Sequence, residues 1–256
     1  MAVSNRSFGT RSGRFHSAFT IINSAAEYLP SNPLISKADL ASFVDLTGNI
    51  NSEVAVAQMK LSDAQELRRH LSFKKKDKNP RCMEVLIKEI HCYIKADIQD
   101  NEGTLKIFDE ISRKMNPSYK KEKLPAGVAE NGKPAKKKAG YKNGKPSCEK
   151  TFSSLYGYAV QVNSLINQLG AAYQPTNTDI QSAQFQAAVT ALENINGEIT
   201  LFEQSLIDTI ARRRDLYDGK TGMKERIALI KNYLKSLQGG KKNLVYINFT
   251  RTLRGV

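Results

Sequence analysis

The sequence holds no tryptophan, three histidines and three cysteines in 256 residues. Each shortage narrows the field. Cys82, Cys92 and Cys148 are odd in number and show no C-x-x-C spacing, which argues against a disulfide framework and for a reducing compartment. No apolar run approaches the roughly 18 residues of a membrane span. Met1 to Thr20 carries Arg6, Arg11 and Arg14 but no apolar stretch that could act as a signal-peptide core. The expectation is a cytoplasmic protein with no membrane span. Acidic residues are also scarce: 25 Asp and Glu face 39 Lys and Arg, for a net charge of +14. Such an excess predicts attraction to a polyanion.

What the chain does have is a passage written twice. Tyr28-Leu29-Pro30-Ser31-Asn32-Pro33-Leu34-Ile35 returns as Tyr173-Gln174-Pro175-Thr176-Asn177-Thr178-Asp179-Ile180. At the same offset Asn49-Ile50-Asn51 returns as Asn194-Ile195-Asn196, and Arg68-Arg69 as Arg213-Arg214. Over residues 26–71 about a third of positions match without a gap, where unrelated segments match at about a twentieth; a fixed period marks duplicated supersecondary units.

Hydrophobic spacing gives the elements. Phe15 to Glu27 reads as a first helix, stopped by Pro30 and Pro33. Ser36 followed by Asp39 reads as the cap of a second. Leu40, Val44, Ile50, Val54, Ala57, Leu61, Ala64 and Leu71 then keep one apolar seam, matched by Phe185, Val189, Ile195, Ile199, Phe202, Leu206, Thr209 and Leu216. Neither stretch contains proline, so each predicts a helix of about 35 residues, roughly 50 Å long. Gly48 and Gly197 are candidate kinks. A third helix follows in each copy, through Met83, Ile87, Ile90 and Tyr93 and through Met223, Ile227, Ile230 and Tyr233. A short fourth helix is expected from Thr104 to Met115. Leu244 to Phe249 looks strand-like and is expected to pack as an extended tail.

The expected fold is therefore all-α, a tandem duplication of a three-helix antiparallel unit built around one long helix. Residues 1–14 read as a basic flexible arm, 15–115 as the first repeat, 116–150 as a disordered linker and 151–256 as the second repeat. The linker holds ten Lys against three Glu.

No pattern points to catalysis, a metal or a cofactor. Asp218-Gly219-Lys220-Thr221-Gly222 contains a Gly-Lys-Thr but has Asp215 where a phosphate loop needs glycine, and a helix rather than a strand precedes it. It reads as a turn, with Gly219 left-handed and Thr221 as a cap. Glu66 and His70 lie one turn apart without a third ligand; His16 and His91 have no visible partner. Charge is the functional signal. Lys74, Lys75, Lys76, Lys78 and Arg81 form one basic run, and Lys133, Lys136, Lys137, Lys138, Lys142 and Lys145 a second. Clustered lysines bind phosphates strongly and without sequence preference. Arg68, Arg69, Arg213 and Arg214 are further candidates for anion contact, or else complement the negative ends of long helices. Two functions follow: a non-enzymatic binder of nucleic acid or another polyanion, or a structural protein whose long helices self-assemble or recognise other proteins.

Overall fold

The computed structural model describes residues 5–73, 79, 81–98, 102–115 and 151–254. Among these the chain is all helical, with no strand. The helices are α1 (Asn5–Ser24), α2 (Lys37–Ser72), α3 (Met83–Asp97), α4 (Glu102–Met115), α5 (Phe152–Leu169), α6 (Ser182–Asp218), α7 (Met223–Ser236) and α8 (Leu244–Thr252). Ser36 caps α2, accepting from the Asp39 amide at 3.2 Å. Helices α2 and α6 run 36 and 37 residues straight through Gly48 and Gly197, neither of which ends its helix.

Three local expectations are corrected. The stretch expected as a flexible basic arm is helical from Asn5. Its anchors are the buried Phe8, edge-on to Tyr217 at 4.9 Å, and Arg11, which pairs with Asp218 at 3.0 Å. Leu244 to Phe249 is the start of a helix rather than an extended tail. Asn243 caps it by accepting from the Val245 amide at 2.8 Å, and Phe249 and Leu253, four residues apart, are both buried. Capping and burial override the strand propensity of Val245, Tyr246 and Ile247. In the turn after α6, Gly219 does not take a left-handed conformation; glycine is needed there because a Cβ would sit 2.4 Å from the Asp215 carbonyl oxygen. Thr221 caps nothing, and Gly222 precedes α7.

The chain forms two compact units, Met1–Ala64 with Glu198–Val256, and Gln65–Gly197. Each unit therefore draws on both the N-terminal and the C-terminal half of the sequence.

In the first unit α1 and α2 up to Ala64 pack with α6 from Glu198 onward, α7 and α8. Phe15, Ile22, Leu40, Phe43, Tyr217, Ile230, Leu234 and Phe249 belong to one buried core. The turn after α1 is held from inside. Tyr28 Oη donates to the Ile35 carbonyl at 2.8 Å, and Asn32 accepts from the Leu34 amide at 3.0 Å. Tyr233 on α7 completes the corner: its ring stands edge-on to Tyr28 at 5.2 Å, and its hydroxyl accepts from the Leu29 amide at 3.1 Å. The two long helices touch here, Asn51 donating to Tyr217 Oη at 2.7 Å. The buried Arg226 bonds the Leu34 carbonyl and Asp39 and lies over the Phe43 ring at 4.2 Å.

The second unit repeats these contacts with other residues. Tyr173 Oη donates to the Ile180 carbonyl at 2.6 Å, and Asn177 accepts from the Asp179 amide at 3.1 Å. Tyr93 on α3 stands edge-on to Tyr173 at 5.3 Å and accepts from the Gln174 amide at 3.3 Å. Ile90, Ile94, Phe108, Val162, Ile166, Phe185 and Leu192 are buried in this unit.

Burial, followed by the neighbouring Tyr233, pushes the Tyr28 phenol well above its ordinary value; burial and Tyr93 do the same to Tyr173. The folded chain thus holds these protons more tightly than the unfolded one. Their contribution to stability is complete below about pH 10 and is lost as pH rises further. Tyr28→Phe and Tyr173→Phe should each cost about 1–3 kcal/mol at neutral pH, because a buried carbonyl loses its donor. Denaturant titrations of the double variant should also show a shallower loss of stability above about pH 10 than the parent.

Candidate nucleic-acid interface

Most of the residues expected to contact nucleic acid, namely Lys74, Lys75, Lys76, Lys78, Lys133, Lys136, Lys137, Lys138, Lys142 and Lys145, lie outside the described residues. Arg81 is described. Its guanidinium is 73 % exposed and pairs with Asp179 at 3.2 Å, a contact that water and salt screen heavily.

The two arginine pairs divide by direction. Arg213 is buried, with its guanidinium 4.2 Å from the centre of the Phe8 ring. Arg68, half-buried, lies 4.2 Å from the centre of the Phe152 ring. Burial lowers the pKa of Arg213, with Tyr217 acting in the opposite sense. Both arginines stack on an aromatic ring at the start of a first helix, which gives them a packing role. Their neighbours Arg69 and Arg214 are exposed. Adjacent helical residues point about 100° apart, so only one of each pair can face solvent as an anion contact.

A cationic surface that the sequence reading did not single out as a whole lies on α7 and the segment after it. Residues 220–254 hold nine Lys and Arg against one acid, Glu225; Arg226, buried and paired with Asp39, is not part of the surface. Lys224, Lys231 and Lys235 fall at intervals of seven and four, which places them in one stripe along α7. The face about 90° around the helix from that stripe is buried through Met223, Ile227, Ile230 and Leu234. Its sequence signal is the helical spacing of the lysines, which no unbroken basic run announces.

Among the described residues no group of three His, Cys, Asp or Glu could hold a metal ion. His91 Nε2 lies 3.0 Å from Asp109 and the imidazole stacks parallel to Phe108, an arrangement that ties α3 to α4. Glu66 is exposed on the outer face of α2. An open groove of about 560 Å³ in the first unit is lined by Asn49, Glu53, Val56, Lys60, Thr209 and Arg212 among others; across it Arg212 pairs with Glu53. No described helix is long and apolar enough to cross a membrane.

The chain matches no protein family, no curated protein and no solved structure. The reading of its function rests on its own residues.

The division of the arginine pairs can be checked directly. Arg213→Met should lower stability by about 1–2 kcal/mol through lost cation–π stacking and packing. Arg214→Gln and Arg69→Gln should change stability by less than about 0.5 kcal/mol. Heparin retention should fall only for the exposed pair, with thermal melts run alongside.

Proposed function

We propose that this chain is a non-enzymatic nucleic-acid-binding protein, with lysine-rich segments carried on a duplicated helical scaffold. The observation that carries the reading is where the charge sits. Residues 116–150 hold ten Lys against three Glu, and residues 220–254 nine cations against one acid. The remaining helices are close to balanced. Lysines grouped in this way release counterions when they meet phosphates, and the resulting affinity is strong, salt-sensitive and blind to sequence. Lys74, Lys75, Lys76, Lys78 and Arg81 would form one contact segment, and Lys133 to Lys145 another.

The scaffold reading is a tandem duplication whose copies are shared between the two units. The paired contacts support it: Tyr28 with Ile35 and Tyr233, Tyr173 with Ile180 and Tyr93, Arg213 on Phe8 and Arg68 on Phe152. In each case the third-helix tyrosine or the stacking arginine comes from the other repeat. The free thiols of Cys82 and Cys92 fit a cytoplasmic setting.

A second reading, self-assembly or protein recognition through the long helices, is favoured by apolar side chains left in water. Leu46, Val56 and Met59 on α2, and Leu201 and Ile207 on α6, are all exposed within the first unit. Light scattering before and after nuclease treatment separates association by these helices from association bridged by nucleic acid.

Replacing Lys74, Lys75, Lys76 and Lys78 with Gln should flatten the slope of log affinity for duplex DNA against log salt. Each lost phosphate contact should change it by about 0.9. An unchanged slope in a folded variant would remove this segment from the interface.

A further inference from the structure

We propose that one end of the first unit docks on the anionic lipid surface of a membrane, with Leu29 and Leu244 entering the boundary of the acyl chains. This inference is independent of nucleic-acid binding. Leu29 and Leu244 are the most exposed large apolar side chains described, at 77 % and 74 %. Leu29 lies in the turn leaving α1 and Leu244 opens α8, yet the fold brings them to the same end. Asn243 Nδ2 donates to Glu27 Oε1 at 2.9 Å, which also occupies the carboxylate of that turn. The Leu29 amide reaches Tyr233 near the end of α7. After Leu244, the side chains of Val245, Tyr246 and Ile247 are only partly covered, so α8 begins with an apolar step.

Lysines flank this step. Lys241 and Lys242 directly precede it and are exposed. Gly239 and Gly240 are left-handed, with φ of 88° and 53°, and let the chain fold back onto the end of α7. A Cβ on Gly240 would lie 3.5 Å from the Lys235 carbonyl oxygen. Lys235 therefore borders the same surface, with Lys231 one turn behind it. None of these four lysines pairs with a described carboxylate.

The chain contains its own comparison. Gln174 stands where Leu29 stands, donating the same backbone hydrogen bond to Tyr93. The turn itself does not demand an apolar side chain. Residues 81–115, which follow the other long helix, hold six cations against seven acids. Among the described residues, exposed leucine and uncompensated lysine thus occur together at this corner and not at the corner around Tyr173.

The chemistry at that end selects among anionic partners. Nucleic acid rewards lysine through its phosphates, but its apolar surface is the faces of bases, which exposed aromatic rings recognise. Here the two most exposed large apolar groups, Leu29 and Leu244, are aliphatic, whereas the aromatic Tyr233 and Tyr246 are both partly buried and the Tyr233 hydroxyl is committed. A lipid surface suits both kinds of side chain: head-group phosphates attract lysine, and leucine gains by leaving water for the acyl boundary.

The test is sedimentation of the full chain with phosphatidylcholine vesicles, with and without phosphatidylserine, alongside retention on duplex DNA. The full chain should bind only the phosphatidylserine vesicles, less so at high salt. Leu29→Gln, which installs the residue found at Gln174, should weaken vesicle binding about tenfold, and Leu244→Gln by a similar factor. Neither should alter DNA retention. Lys241→Gln with Lys242→Gln should also weaken vesicle binding severalfold. Should Leu244→Gln melt at lower temperature, Leu29→Gln alone decides the matter. Absence of binding to phosphatidylserine vesicles overturns the proposal, as does full binding by Leu29→Gln. Loss of DNA retention without loss of vesicle binding would assign this end to nucleic acid instead.

Discussion

Length is the constraint on which this structure depends. Helices α2 and α6 run 36 and 37 residues, whereas α1 and α5 run 20 and 18. At about 1.5 Å per residue each long helix extends some 25 Å beyond the helix that precedes it. An apolar seam that continues along that excess must be covered by something else. Both long helices meet the requirement by dividing between the compact units, α2 with most of its length in the first and α6 more evenly. Residues up to Ala64 belong to the first unit and residues from Gln65 to the second; for α6 the change falls between Gly197 and Glu198. Core packing, the burial of Arg213 and the roles of Tyr93 and Tyr233 all follow from that division.

The tyrosine corner makes the division specific. In each unit a buried hydroxyl bonds a carbonyl seven residues ahead, fixing the exit from a first helix into a long one. A third-helix tyrosine then bonds the amide that follows the first tyrosine. Hydrophobic burial alone would tolerate a range of packings. Paired donors and acceptors at a buried turn tolerate far fewer, because a misplaced partner leaves a polar group unsatisfied.

Much of the helical architecture was legible in the sequence. The recurrence of Tyr-x-Pro-x-Asn located both turns, Ser36 with Asp39 located the start of α2, and absence of proline gave the length of the long helices. Features that depend on distant partners were not legible. Residues 5–14 have too few apolar side chains to announce a helix; Phe8 and Arg11 become anchors only because Tyr217 and Asp218 lie across the unit. Leu244 to Phe249 has strand propensity, and its helix depends on the Asn243 cap and on burial of Phe249 and Leu253. The candidate interface was read less completely. Lysine runs are conspicuous in sequence, but the stripe on α7 emerges only at helical spacing. The inward turn of Arg68 and Arg213 depends on rings from a different helix.

The central claim is that neither half of the chain, 1–115 or 151–256, can complete a unit alone. Its most direct test is to prepare residues 1–115 and 151–256 separately and then mix them, following circular dichroism melts and sedimentation equilibrium. The account predicts that each fragment alone either lacks a cooperative melt or dimerises. On mixing, a one-to-one complex with a cooperative transition should form. Two fragments that each melt cooperatively as monomers, unchanged by mixing, would contradict it.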